Sequence, residues 1–238
     1  MTNVALLTGR GNNTLKDKNV LKVHGHPVLY YPAMAARRAT HISDWYVSSD
    51  DAKILDAASA IGYRKIERPD YLALPTSLHI DAIYHALRVM EEQGVKPDIL
   101  VCLLANNVTV KSQWIDDCVE ILEKDESLTS VVPVYKEMDH HPMRAKRILP
   151  DGSLGTFVDM KGAKVSTNRQ DLEPCYFLSH NFWAMRVKTA IELNDGDGPW
   201  TFLGKKIKPY VVDDSIDIHD SVDLLIAEEW VTNNWDWN

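Results

Sequence analysis

The chain has 238 residues, 45% of them hydrophobic and 25% charged, with a formal net charge of −8 at pH 7. That composition supports one large domain with a real core, and the acidic balance argues against the broad basic face of a nucleic-acid binder. No segment approaches the roughly 20 apolar residues that span a bilayer, the N-terminus lacks the pattern of a secretory signal, and three scattered cysteines, Cys102, Cys118 and Cys175, fit a reducing, cytoplasmic setting without a disulfide framework.

In chain order, Val4–Thr8 reads as a buried strand. Pro27–Ala39 reads as a helix with proline in its first turn. Asp44–Ser48 is a second strand, and Asp51–Ile61 a helix closed by Gly62. Ser77–Gln93 is a long helix closed by Gly94. Asp98–Leu104 is the most apolar strand and is expected at the sheet centre. Ser112–Lys124 is a helix and Leu128–Val134 a strand. Residues 135–185 break this rhythm with turn signals and short alternating runs. They read as an inserted β-rich element that caps the site or meets a second subunit. Lys208–Val212 returns as a strand, and His219–Asn233 is a terminal helix with Val222, Leu225, Ile226 and Trp230 on one face. The β-α-β-α order predicts one α/β domain over 1–238: a mostly parallel, Rossmann-like sheet flanked by helices. Ligands of such sheets bind beyond the C-terminal strand ends.

The loop after the first strand sits at that edge. In Thr8-Gly9-Arg10-Gly11-Asn12-Asn13-Thr14-Leu15-Lys16-Asp17-Lys18-Asn19, glycines and cations gather against a single acid. Glycine turns let backbone N–H groups approach an anion, and neighbouring Lys and Arg neutralise it. The loop matches neither the Walker pattern nor the three-glycine dinucleotide fingerprint.

Arg10-Gly11, Lys18-Asn19 and Gly25-His26-Pro27 together resemble the start of the CMP-sialic acid synthetases (acylneuraminate cytidylyltransferases), whose "RGGSKGIPGKN" loop precedes a "GKPL" segment. Further stretches agree in order. Val47-Ser48-Ser49-Asp50-Asp51 is similar to "VSTDD", and Glu67-Arg68-Pro69 with Leu72-Ala73 is similar to "RPxxLA". Asp81 falls at the Asp of "SEDV", and His140-His141-Pro142 at "HHP". Asn168-Arg169-Gln170-Asp171-Leu172 resembles "RRQDLP", and Asp214-Ser215-Ile216-Asp217-Ile218 resembles "SIDID".

The resemblance implies a nucleotide-diphospho-sugar transferase-like fold with a dimerisation insert. It also implies a homodimer and a Mg²⁺-dependent reaction in which CTP and an acidic sugar give a CMP-sugar and pyrophosphate. Arg10 and Lys18 would hold the triphosphate, with Gly9, Gly11, Asn12, Lys16, Asn19 and Asp81 around the nucleotide and Arg68 on the cytosine. Asp217 is the expected Mg²⁺ ligand, since a carboxylate past a strand end suits a hard cation that also takes phosphate oxygens and water. Asp50 and Asp51 are alternatives. Asn106, Asn107, Arg169, Gln170 and His219 are expected on the acceptor. Adjacent His140 and His141 would point in opposite directions and so make a poor metal pair.

Three departures bear on the acceptor. The opening loop is one residue short, which displaces its first lysine. The family's "LQPTSPLR" is Leu103-Leu104-Ala105-Asn106-Asn107-Val108-Thr109-Val110 here, without glutamine or arginine. The second acid of "SIDID" is His219. The expected acceptor is therefore a sialic acid, another nonulosonate-like 2-keto sugar acid, or a smaller acid such as a phosphonate. A catalytically degenerate nucleotide-binding relative is the further alternative.

Overall fold

The computed structural model describes residues 1–11, 13–159, 161–162, 164–213 and 215–236. Asn12, Asp214 and Trp237 lie outside them. β1 (Asn3–Thr8) is buried at every position. After the loop come β2 (Lys22–Val23) and β3 (His26–Pro27), a small hairpin. His24 and Gly25 at its tip both have positive φ, 46° and 81°, as a tight two-residue hairpin turn requires. α1 (Tyr30–Arg38) begins only after it. The helix expected from Pro27 thus starts three residues later, because Pro27 pairs with Lys22.

The expected alternation then runs through β4 (Asp44–Ser49), α2 (Ala52–Ser59), α3 (His79–Glu92), β6 (Ile99–Leu104), α4 (Ser112–Lys124) and β7 (Ser130–Glu137), with a further strand that was not expected, β5 (Arg64–Glu67), between α2 and α3. Asp51 caps α2 by accepting from the Lys53 amide at 2.8 Å, a capping contact typically contributing about 1 kcal/mol.

The excursion is narrower than 135–185. β7 runs to Glu137, and β8 (Lys146–Ile148) and β9 (Leu154–Thr156) form a separate hairpin. β10 (Cys175–Leu178) and β11 (Phe182–Arg186) rejoin the main sheet. β11 is not peripheral: Phe182, Trp183, Ala184 and Met185 are buried between β6 and β7. β12 (Ile207–Val211) lies parallel to β7, and α5 (Ser221–Asn234) closes the described chain behind an Asp220–Asp223 capping box.

Among the described residues these strands form an eight-stranded sheet. β5, β4, β1 and β6 are mutually parallel, and β10 and β11 run antiparallel to their neighbours. β6 sits centrally, paired with β1 on one side and β11 on the other. Helices cover both sheet faces: one core gathers around Leu7, Val47, Val101 and Leu103, the other around Leu6, Tyr46, Ile83 and Trp183.

A third apolar cluster positions the site. Val23, Val28 and Tyr31 pack with Val108, Ile218, Ala227, Trp230 and Val231. It ties the β1 loop, the loop after β6 and the segment before α5 into one block. Of the expected face of α5 only Trp230 is buried; Val222, Leu225 and Ile226 are 58, 66 and 47% exposed, and Ala227 and Val231 are buried in their place. Apolar residues recur on more than one side of this helix, so its sequence offers no unique stripe, and the partner cluster decides which one is buried.

Candidate functional site

A cavity of about 370 Å³ opens at the C-terminal ends of β1 and β6, where a parallel sheet presents its ligand crevice. Six of the expected residues line it: Gly9, Arg10, Lys18, Asn19, Arg68 and Asn106.

The β1 loop is held from inside. The Arg10 carbonyl accepts from Asn13 Nδ2 at 2.5 Å and from Asn19 Nδ2 at 3.2 Å. The Gly9 amide donates to the Ser48 carbonyl at 3.3 Å, and the Gly11 amide to Asp50 Oδ1 at 3.1 Å. The expectation that the glycine amides face an anion is therefore corrected: they fasten the loop to the end of β4. The glycines serve close approach, since a Cβ on Gly11 would meet Asp51 Oδ2 at 2.7 Å. Asp50 and Asp51, the alternative metal ligands, are likewise occupied by the Gly11 amide and the α2 cap.

The positive charge of the cavity comes instead from side chains. Arg10 Nη1 donates to the Leu74 carbonyl at 3.2 Å, and Lys18 Nζ to the Ile218 carbonyl at 2.9 Å. Arg68 is buried, with Nε on Ser48 Oγ at 3.2 Å and Nη2 on the Ser48 carbonyl at 2.8 Å. Among the described residues, all three cations hydrogen-bond to neutral oxygens and none forms an ion pair. Burial lowers the Lys18 pKa, opposed by the Asp217 carboxylate, with Arg10 adding repulsion. Burial also lowers that of Arg68. Three cations, Arg68 buried and Arg10 and Lys18 half-buried, whose hydrogen bonds go to neutral oxygens favour an anion that can pair with all of them.

Asp217 stands at the edge of this arrangement. It bridges to Asn107 in an isolated antiparallel pair, and Ile218 N donates to the Asn106 carbonyl at 3.0 Å. Asn106 Nδ2 donates to Asp217 Oδ1, and His219 Nε2 lies 3.1 Å from Oδ2. Among the described residues, no three His, Cys, Asp or Glu side chains converge as a ready-made metal cage. A lone carboxylate beside a cavity lined by Arg10, Lys18 and Arg68 nonetheless fits Mg²⁺, which takes one or two carboxylates and fills its other positions with water or ligand oxygens.

Other expected residues lie elsewhere. Lys16 is exposed beside Asp17 and does not line the cavity. Asp81 is exposed on a neighbouring groove lined also by Tyr71, Leu78 and Arg88. Asn107 is fully buried: it donates to the Ser179 carbonyl and Ser215 Oγ and accepts from the Thr109 amide and hydroxyl. It locks the loop and offers nothing to an acceptor. Arg169 pairs with Asp139 at 2.6 Å in the insertion and Gln170 is exposed next to it, so neither reaches this chain's cavity. His140 pairs with Glu137, while His141 bonds to the Glu173 carbonyl and the Met143 amide. The two adjacent histidines thus serve different partners. Cys102 and Cys118 are buried with thiol pKa values raised by burial.

Sequence reasoning missed the cavity floor. Thr8 ends β1 and His79 begins α3, and Thr8 Oγ1 lies 3.0 Å from His79 Nε2. Their positions at a strand end and a helix start were the available signal.

The family model described as "Cytidylyltransferase" matches residues 10–176. Among curated proteins, no sequence matches the chain. The solved structure of CMP:2-keto-3-deoxy-manno-octonic acid synthetase complexed with CTP aligns at a TM-score of 0.71 and 13% identity, covering 98% of this chain and 99% of that one. The 4-diphosphocytidyl-2C-methyl-D-erythritol synthase from Anaerococcus prevotii aligns at 0.68 and 14% identity, covering 98% and 96%. These structural likenesses bear on fold: an α/β, mostly parallel sheet of the nucleotide-diphospho-sugar transferase type.

Proposed function

This chain belongs to the cytidylyltransferase family, CTP-dependent nucleotidyltransferases, and on that footing we propose that it activates an acidic sugar, a sialic acid or another nonulosonate-like 2-keto sugar acid, as its CMP ester. An acceptor oxygen attacks the α-phosphorus of CTP, the bond from that phosphorus to the bridging oxygen breaks, and pyrophosphate leaves. The observation that carries this reading is the convergence of Arg10, Lys18 and Arg68, without ion-pair partners among the described residues, in one cavity beside Asp217. Such transfers need charge neutralisation and positioning more than covalent chemistry. Arg10 and Lys18 neutralise the triphosphate and hold it in line, and Asn106 fixes the Asp217 carboxylate. Asp217 would hold Mg²⁺, which when bound neutralises phosphate charge.

A smaller acidic acceptor such as a phosphonate is favoured by one observation. Leu104 lines the cavity, so at that position the wall offers an apolar side chain to a polyhydroxylated sugar. The insertion, with Ile148, Leu154 and Phe157 exposed, is the proposed dimerisation element.

The test is pyrophosphate release from CTP and Mg²⁺ across a panel of 2-keto sugar acids and phosphonates. Release with one class names the acceptor. Silence across the panel from folded, CTP-binding protein overturns the catalytic reading and leaves a nucleotide-binding relative.

A further inference from the structure

We infer that His79 selects the nucleobase, accepting a hydrogen bond from the 4-amino group of cytosine and rejecting the 4-carbonyl of uracil. This rests on the reading of the cavity as a CTP site.

Thr8 Oγ1 donates its only hydrogen to the Leu103 carbonyl at 3.1 Å. A carbonyl can only accept, so with the Thr8 hydrogen on Leu103 the 3.0 Å contact between Thr8 Oγ1 and His79 Nε2 carries the histidine's hydrogen, and Cys102 Sγ lies 3.8 Å from the same nitrogen. Burial, reinforced by Arg68 and His180, pushes the His79 pKa down to about 4, so the ring is neutral at pH 7. With its one proton on Nε2, Nδ1 carries a lone pair. Nδ1 has no partner among the described residues and is not sealed off, and the ring is part of the cavity wall. Trp183 and Phe202 back the ring, with centroids 5.6 and 6.3 Å away, so its plane is fixed.

Arg68 supplies the complement. Nε and Nη2 are held by Ser48, while Nη1 makes no bond to a described residue. The cavity thus presents donors from Arg68 and an acceptor from His79. Cytosine offers acceptors at O2 and N3 next to a donor at N4 and satisfies both. Uracil reverses the pattern at positions 3 and 4, setting its O4 against the Nδ1 lone pair and its N3–H against the guanidinium. A buried polar group left facing its like is strongly discriminated against.

The test is titration calorimetry of the full chain with CTP and with UTP, in excess Mg²⁺ and without acceptor. Wild type should bind CTP at least about tenfold more tightly. His79→Phe keeps a ring against Trp183 and Phe202 but has no nitrogen. Thr8→Val keeps the strand but frees the imidazole to carry its proton on Nδ1. Both should lower the CTP-to-UTP preference by about tenfold. Thr8→Val decides alone if His79→Phe does not give a wild-type circular dichroism spectrum. Wild type that binds both nucleotides equally, or variants that keep the wild-type preference, overturn the role of His79 and leave the CTP site standing. Wild type that binds neither nucleotide overturns the CTP site and this assignment with it.

Discussion

Lys18 Nζ donates to the Ile218 carbonyl at 2.9 Å, across 200 residues of chain. The bond joins the loop after β1 to the residue next to Asp217, so the cation proposed to meet phosphate and the carboxylate proposed to hold Mg²⁺ are tied together by one contact. Lys18→Met keeps most of the stem and removes the charge. CTP affinity should fall by about ten- to a hundredfold, measured by calorimetry. The melting temperature should move by only a few degrees, because the third apolar cluster still fastens Ile218.

Asp217→Asn removes the carboxylate but keeps its size. Pyrophosphate release should drop by about a hundredfold or more, while CTP binding without Mg²⁺ stays near the wild-type value. Turnover that survives unchanged would move the metal role to another residue.

Gly11→Ala tests the loop geometry. The added methyl would meet Asp51 Oδ2 at 2.7 Å and Asp51 Cβ at 2.8 Å, so either the loop lifts off β4 or the α2 cap shifts. Denaturant melts should show a loss of about 1–3 kcal/mol, with weaker CTP binding as Arg10 moves.

Stability should depend on pH through His79. The unfolded chain takes up its proton near 6.5 and the folded one only near 4. Between these values the unfolded state binds more protons, so stability rises with pH over that window and falls as pH drops through it. The contribution is at most about 3 kcal/mol. Denaturation of wild type and His79→Phe at pH 4.5 and 7.5 checks it: the variant should lose less stability on acidification.

The frame was legible because burial on both faces writes continuous apolar runs: β1 and β6 stand where the sequence puts them. Arg10 and Lys18 stood out as cations of the loop after β1, and Asn19, Arg68 and Asn106 through the stretches that resemble the family's motifs; all five line the cavity. What escaped were matters of partnership. Nothing in the chain order says that the Gly9 and Gly11 amides turn toward β4, or that Asn107 faces Ser179 and Thr109. β11 was assigned to the excursion because its neighbours in sequence are irregular, although its neighbours in space are β6 and β7. His79 passed unnoticed because its meaning depends on Thr8, which lies 71 residues away.

In the proposed complex the cavity beyond β1 grips a nucleoside triphosphate between Arg10, Lys18 and Arg68. A crystal structure with CTP and Mg²⁺ tests it most directly. Phosphate oxygens are expected within about 3 Å of Arg10 and Lys18, with the base against Arg68 and His79 and Asp217 facing the α-phosphate. CTP bound elsewhere, with Arg10 still on the Leu74 carbonyl and Lys18 turned to solvent, would contradict it.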